Sequence, residues 1–127
     1  MAIADLDHFK NINDRYGHAI GDAVLAGFAE RARAHLRSTD VPGRWGGEEF
    51  VIILAGPAAS DPHLGIERLR RALLETPVCA EAPHIQLTFS SGITGYRKGE
   101  AIDDVIERAD KALYDAKHAG RNRSVTM

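Results

Sequence analysis

The 127-residue sequence predicts an α/β fold, α+β-like in its layout: a mixed central β-sheet flanked by helices. Three observations predict it. Apolar runs of strand length alternate with longer segments whose apolar residues recur at helical spacing, the pattern of helices packed on a sheet. A Gly46-Gly47 pair separates two strand-like segments, so one connection is a hairpin and the sheet is not purely parallel. The length suits a single domain over 1–127.

The elements follow in order. Met1-Ala2-Ile3-Ala4 is an apolar run that ends in Asp5-Leu6-Asp7, a buried strand whose C-terminal end reaches a site. A strand beginning at the first residue creates the expectation of a further element upstream. Gly17 and Gly21, among small polar residues, mark a turn between helical pieces. Val24, Leu25, Phe28, Ala29, Ala32 and Leu36 then share one helical face, and Asp40-Val41-Pro42-Gly43 ends that helix. Arg44-Trp45 and Phe50 to Leu54 are the two hairpin strands; the second is apolar throughout and is expected to be buried on both faces. Pro57 to Pro62 reads as a loop, His63 to Glu75 as a helix, and Ile85 to Ile93 as a strand. Ile102, Val105, Ile106, Ala109, Leu113 and Ala116 define a last amphipathic helix, with Gly120 at its C-terminal cap. Ser124 to Met127 reads as an edge strand.

Composition excludes several classes. Hydrophobic residues are 44% and charged residues 27%, values of a globular domain and not of a disordered chain. The net charge of −2 gives the surface as a whole no attraction to nucleic acid or membrane. No apolar run approaches the roughly 18 residues of a membrane helix. The single Cys79 can form no internal disulfide and fits a reducing, cytoplasmic compartment.

Two groups of charged residues carry chemistry. Asp5 and Asp7, two apart at a strand end, are expected on one face, and Glu48 and Glu49 sit in the hairpin turn. Brought together, these acids repel unless a cation neutralises them, and hard oxygen ligands select Mg²⁺ or Mn²⁺. Gly46 and Gly47 permit a backbone shape, or a ligand's approach, that side chains would block. Lys117 and Arg121, four apart, are expected on one face at the end of the last helix, as dipole-compensating cations or as a triphosphate clamp. Asn13 and Asp22 flank the turn at His18; turn chemistry or capping of a helix beginning at Ala23 accounts for them equally well.

Five blocks, in order, resemble one family. They are Asp5-Leu6-Asp7-His8-Phe9-Lys10-Asn11-Ile12-Asn13-Asp14 with Gly17-His18 and Gly21-Asp22; Arg44-Trp45-Gly46-Gly47-Glu48-Glu49-Phe50; Ser90-Ser91-Gly92; Ala109-Asp110-Lys111-Ala112-Leu113-Tyr114-Asp115-Ala116-Lys117; and Gly120-Arg121-Asn122. The chain closely resembles the GGDEF family of diguanylate cyclases, with Glu in place of the middle Asp. The resemblance implies the nucleotidyl cyclase and polymerase palm fold, without the helix that normally precedes the first strand.

It also implies roles. Asp5, the Leu6 carbonyl, Glu48 and Glu49 match ligands of two Mg²⁺ or Mn²⁺ ions, and Glu48 matches the base that takes the ribose 3′-hydroxyl proton. Asn13 and Asp22 match guanine readers. The Phe9 and Lys10 amides, and the Lys117 and Arg121 side chains, match phosphate-binding groups beside Gly46 and Gly47. Arg37 and Asp40, with Arg68, match a site where the product inhibits. The implied reaction joins two GTP into cyclic di-GMP and two pyrophosphates, in a homodimer governed by an upstream sensory domain. A catalytically silent cyclic di-GMP receptor is the alternative.

Overall fold

The apolar run at the start of the chain becomes strand β1 (Ala2–Leu6), and every residue of it is buried. The computed structural model describes residues 1–55 and 61–127. Around β1 stand β2 (Val41–Gly46), β3 (Glu49–Ile53), β4 (Phe89–Ile93) and β5 (Ser124–Thr126), in the order β2-β3-β1-β4-β5. The central strand is antiparallel to both neighbours, β2–β3 is the expected antiparallel hairpin, and β4–β5 is parallel. The sheet is therefore mixed, and β5 closes its edge as anticipated.

Strand alternation assigns the faces. Ala2, Ala4 and Leu6 enter the larger core with residues of helices α1 (Phe9–Tyr16), α2 (His18–His35) and α3 (Pro62–Glu75). Its centre is Phe28 of α2, whose ring lies 4.7 Å from Phe50 and 5.4 Å from Phe89. Removing a buried ring of this kind costs about 3–5 kcal/mol. Ile3 points the other way, onto Ala109 and Leu113 of helix α4 (Ile102–His118). Alternation puts Asp5 on that same face, under the C-terminal end of α4.

Several sequence expectations are corrected. Helix α2 starts at His18, so Asp22 lies a full turn inside it and caps nothing. Gly21 is a helical residue rather than a turn: it is buried, and a Cβ there would collide with the Asn13 side chain of α1. Strand β3 is not covered on both sides. Phe50 and Ile52 are buried, but Ile53 is 42% exposed, because α4 packs over β1, β4 and β5 and does not reach the β3 edge. Val41 to Gly43 belong to β2, where Pro42 is tolerated because β2 is an edge strand. The strand expected over Ile85 to Ile93 is confined to Phe89–Ile93. Leu6 pairs with Phe89 and the Asp7 amide still donates to the Thr88 carbonyl at 2.9 Å, but the chain then turns into α1 and leaves no strand partner for Ile85 to Leu87, although Ile85 and Leu87 are buried. Most of the loop expected at Pro57 to Pro62 falls outside the described residues; Pro62 itself opens α3, where its missing N–H costs nothing.

Gly92 shows how closely α4 sits on the sheet. A Cβ at this position would run into the Ala109 carbonyl and the Leu113 amide, which are backbone and cannot swing away. Gly92→Ala is expected to destabilise by about 3 kcal/mol through displacement of α4. Gly95→Ala, where a Cβ meets nothing within 4 Å, is expected to change stability by less than about 0.5 kcal/mol. Urea unfolding midpoints of the two variants check this.

Candidate active site

Strand β1 delivers Asp5 to the C-terminal edge of the sheet, paired across to Glu49 of β3 and to Ser90 of β4. There it forms one wall of a cleft of about 230 Å³ lined also by Leu6, Phe9, Lys10, Glu48, Lys117 and Arg121. The hairpin turn that presents Glu48 depends on Gly47, whose φ of 54° suits the first central position of a two-residue turn. Arg44 Nε donates to the Gly47 carbonyl at 2.9 Å and braces that turn. The Leu6 amide donates to the Glu48 carbonyl at 3.1 Å, which ties the turn to β1. Gly46 and Gly47 face open space, with no protein atom within 4 Å of either Cβ position. Packing therefore does not require glycine at either place.

The opposite wall is a helix start. His8, in a left-handed conformation, precedes α1, and the first intrahelical bond runs from the Ile12 amide to the His8 carbonyl at 3.2 Å. The Phe9, Lys10 and Asn11 amides precede that bond, no side chain caps them, and all three residues line the cleft. Such an end binds anions through free N–H groups and the helix dipole. Lys117 and Arg121 add cationic side chains. They do not share a helical face as expected: α4 ends at His118, and Arg121 stands beyond Gly120 in a left-handed conformation of φ 63°. Both nevertheless reach the same cleft.

The acids divide in a way alternation alone did not show. Asp5 Oδ2 accepts from Lys117 Nζ at 2.7 Å. Asp7, expected beside it, is 5% exposed and lies past the strand end. Its oxygens accept from Thr88 Oγ1 and Ser90 Oγ, both at 2.7 Å, and from the Asn122 amide at 3.0 Å. Asp7 also lines the cleft, with its carboxylate already accepting from protein donors. Glu49, opposite Asp5 in register, is half-buried and outside the lining of the cleft.

Charge is crowded here. Burial pushes the Asp5 carboxyl above its ordinary value; Lys117 pulls it down, and Glu48 and Asp7 push it up again. Burial likewise raises Glu49, with Asp5, Asp110 and Glu48 adding to the rise and Lys117 opposing it. Asp110 is a contributor that the sequence reading missed; it lies two turns before Lys117 on α4. The donor set, carboxylates beside an anion-binding helix end, fits a hard divalent cation completed by ligand phosphates. Among the described residues no three metal-ligating side chains are already gathered.

The remaining predicted residues lie in two other places. Asn13 is half-buried against Gly21, while Asp22 is exposed and lines a cleft of about 430 Å³ between α2 and β2 with Leu25, Arg33, Arg44 and Phe50. The sequence places Leu25 on the apolar face of its helix and gives neither it nor Arg33 a part in a site; only the i, i+3, i+11 spacing from Asp22 points to them. Arg37, Asp40 and Arg68 converge on a depression of about 40 Å³, with Leu54, Asp61 and Leu64. Asp40 is buried and its carboxylate accepts from the Arg37 amide at 2.9 Å and the Ala55 amide at 3.4 Å, whereas both arginines are exposed.

The family model for the diguanylate cyclase GGDEF domain matches residues 1–123. The chain belongs to the GGDEF family. The diguanylate cyclase DgcP of Pseudomonas aeruginosa is 45% identical over 123 residues, a match covering 97% of this chain and 18% of that protein. The chain thus spans under a fifth of that relative's length. Diguanylate cyclase SiaD of Pseudomonas aeruginosa, solved with its activator SiaC, superposes with a TM-score of 0.91 at 39% identity, over 99% of this chain and 48% of that one. The GGDEF domain of DgcB from Caulobacter crescentus, solved with c-di-GMP, gives 0.88 at 35% identity, over 98% and 75%. No helix among the described residues is long and apolar enough to cross a membrane.

The crowding has a measurable consequence. An acid with a raised pKa holds its proton more tightly when folded. Stability therefore falls as pH rises from the ordinary value, 4.5 for Glu49, through the raised one. In EDTA, Glu49→Gln is expected to melt about 2 °C higher than the parent at pH 7, a gain of about 0.5 kcal/mol after solvent screening. Near pH 4 the two should melt together. Thermal melts across pH 4–7 check this; parallel curves would remove the claim.

Proposed function

We propose that this domain is a diguanylate cyclase that condenses two GTP into cyclic di-GMP with release of two pyrophosphates. The observation that carries the reading is the single cleft in which Asp5 and Glu48 face the free N-terminus of α1, Lys117 and Arg121. Acids on one side and phosphate-binding groups on the other are what a nucleoside triphosphate and its divalent cations require. Family membership and the cyclase relatives support the same assignment.

Asp5, the Leu6 carbonyl, Glu48 and Glu49 would hold Mg²⁺ or Mn²⁺. Bound there, such ions stabilise charge on the attacking and leaving oxygens. The Phe9 and Lys10 amides, Lys117 and Arg121 hold the terminal phosphates. Asn13 and Asp22 read guanine at the α2 side. Because Asp22 is exposed, its discrimination depends on the ligand's own coverage of the site. Glu48 accepts the 3′-hydroxyl proton as that oxygen attacks the α-phosphorus, and the bond to pyrophosphate breaks. Each domain carries one GTP, so turnover requires two domains facing one another. GTP as substrate places the chemistry in the cytoplasm.

The convergence of Arg37, Asp40 and Arg68 supports product inhibition at a second site: guanidinium groups grip phosphate or stack on guanine, and a carboxylate accepts from the guanine edge. The same convergence is the one observation that favours the alternative, a silent receptor for cyclic di-GMP.

Turnover separates the two readings. Incubation with GTP and Mg²⁺ is expected to yield cyclic di-GMP by chromatography, and Glu48→Gln to lower the rate by about 10²-fold or more with GTP binding retained. A parent domain that binds cyclic di-GMP and never forms it would establish the receptor reading. Arg37→Ala is expected to lose inhibition by added cyclic di-GMP at saturating GTP, with its initial rate near that of the parent. Inhibition at unchanged concentrations would remove Arg37 from that site.

A further inference from the structure

Among the described residues, the non-glycine positions with positive φ are His8, Arg121 and Asn122, all at or beside the phosphate side of the cleft. Backbone strain persists where surrounding contacts enforce it, and it gathers at functional sites. Arg121 (φ 63°) and Asn122 (φ 48°) are consecutive. Asn visits this region readily; Arg does not.

Four contacts hold the pair, one of them from Arg123 Nε to the Arg121 carbonyl at 3.0 Å. The Arg121 amide donates to the Ala116 carbonyl at 3.1 Å, closing the end of α4. The Asn122 amide donates to Asp7 Oδ2 at 3.0 Å. Asn122 Oδ1 accepts from Arg70 Nη1 of α3 at 3.0 Å. Each anchor is itself fixed. Asp7 is held by the Thr88 and Ser90 hydroxyls, and the Arg70 guanidinium by Glu67 through contacts of 2.7–3.1 Å. Neither Arg70 nor Asn122 is part of the cleft lining, yet both act on the backbone next to Arg121, which is.

We propose that Asp7, Asn122 and Arg70 form a positioning device that locks Arg121 in its left-handed conformation and aims its guanidinium into the phosphate cleft. The inference rests on the phosphate-binding reading of that cleft. It separates two acids that are two residues apart: Asp5 serves the cation side, and Asp7 serves the phosphate side through Arg121. A guanidinium whose backbone is already fixed loses less conformational freedom when it grips a phosphate, so the device contributes to triphosphate affinity and not to recognition of the base.

The test is titration calorimetry of the whole chain in Mg²⁺ with two probes, GTP and guanosine, which lacks phosphates. Arg70→Ala is compared with Arg71→Ala, an exposed arginine of the same helix whose loss removes the same charge. Arg70→Ala is expected to weaken GTP about 5-fold, with guanosine affinity and the Mg²⁺ midpoint unchanged. Arg71→Ala should stay within about 2-fold of the parent for both probes. Asp7→Asn should show the Arg70→Ala pattern more strongly; if that buried substitution prevents folding, Arg70→Ala carries the test. Equal GTP affinity in Arg70→Ala and Arg71→Ala overturns the positioning role. A shifted Mg²⁺ midpoint in Arg70→Ala or Asp7→Asn overturns it too, by returning Asp7 to the cation. A parent that binds GTP no better than guanosine overturns the phosphate reading and this inference with it, and is told apart because the failure precedes any substitution.

Discussion

A five-residue strand buried on both faces sets where every functional group can stand. Strand β1 lies between β3 and β4, with α2 on one side and α4 on the other. Its residues alternate, so Ala2, Ala4 and Leu6 pack on Phe28's side and Ile3 and Asp5 on the side of α4. A one-residue slip in register would exchange the two sets, burying Asp5 among phenylalanines. The cost of an unpaired carboxylate in that core excludes the alternative. Glu48 is tied to β1 through the Leu6 amide and α1 follows it after a two-residue turn, so both walls of the cleft inherit their position from the same strand.

Holding acids at that strand end works against the fold. Burial raises Asp5 and Glu49, and each further acid raises them again. Lys117 is the counterweight within the protein, at 2.7 Å from Asp5. It also lines the cleft with Arg121, which makes it the link between the acids and the cationic groups there. Sites of this kind sacrifice stability for a charge distribution that only a ligand completes. The gathered hydroxyls on Asp7 show the contrasting solution, a carboxylate of the same cleft that protein donors already satisfy.

Much of this was legible in the residue order. The apolar run before Asp5, the amphipathic spacing of Ile102 to Ala116 and the glycine-marked hairpin each follow local rules, and each element formed, although the hairpin turn is Gly47-Glu48, one residue later than expected, with Gly46 and Glu49 paired in the strands. What failed depended on partners distant in sequence. The incomplete cover of β3, with Val51 half-buried beside the α4 cluster and Ile53 exposed, follows from where α4 comes to rest, which no property of either residue announces. Ile85 to Leu87 carry a strand pattern but have no strand to pair with. Arg121 continues the helical spacing from Lys117, and only the positive φ of Gly120 and of Arg121 itself takes it off the helix. The meeting of Arg68 with Arg37 and Asp40 required α3 to fold back beside the start of β2.

Strand β2 also constrains how its two ends can communicate. Asp40 immediately precedes it and the Gly47-Glu48 turn immediately follows it. Six extended residues span roughly 20 Å, more than twice the screening length of about 8 Å at physiological ionic strength. A ligand on Arg37, Asp40 and Arg68 therefore exerts little direct field at Glu48, and it cannot touch it. Nor is β2 well suited to transmit a shift. It is an edge strand whose pairing with β3 is interrupted by a bulge at Trp45. At its start the exposed Arg37 and Arg68 flank a buried Asp40 whose carboxylate is anchored by two backbone amides.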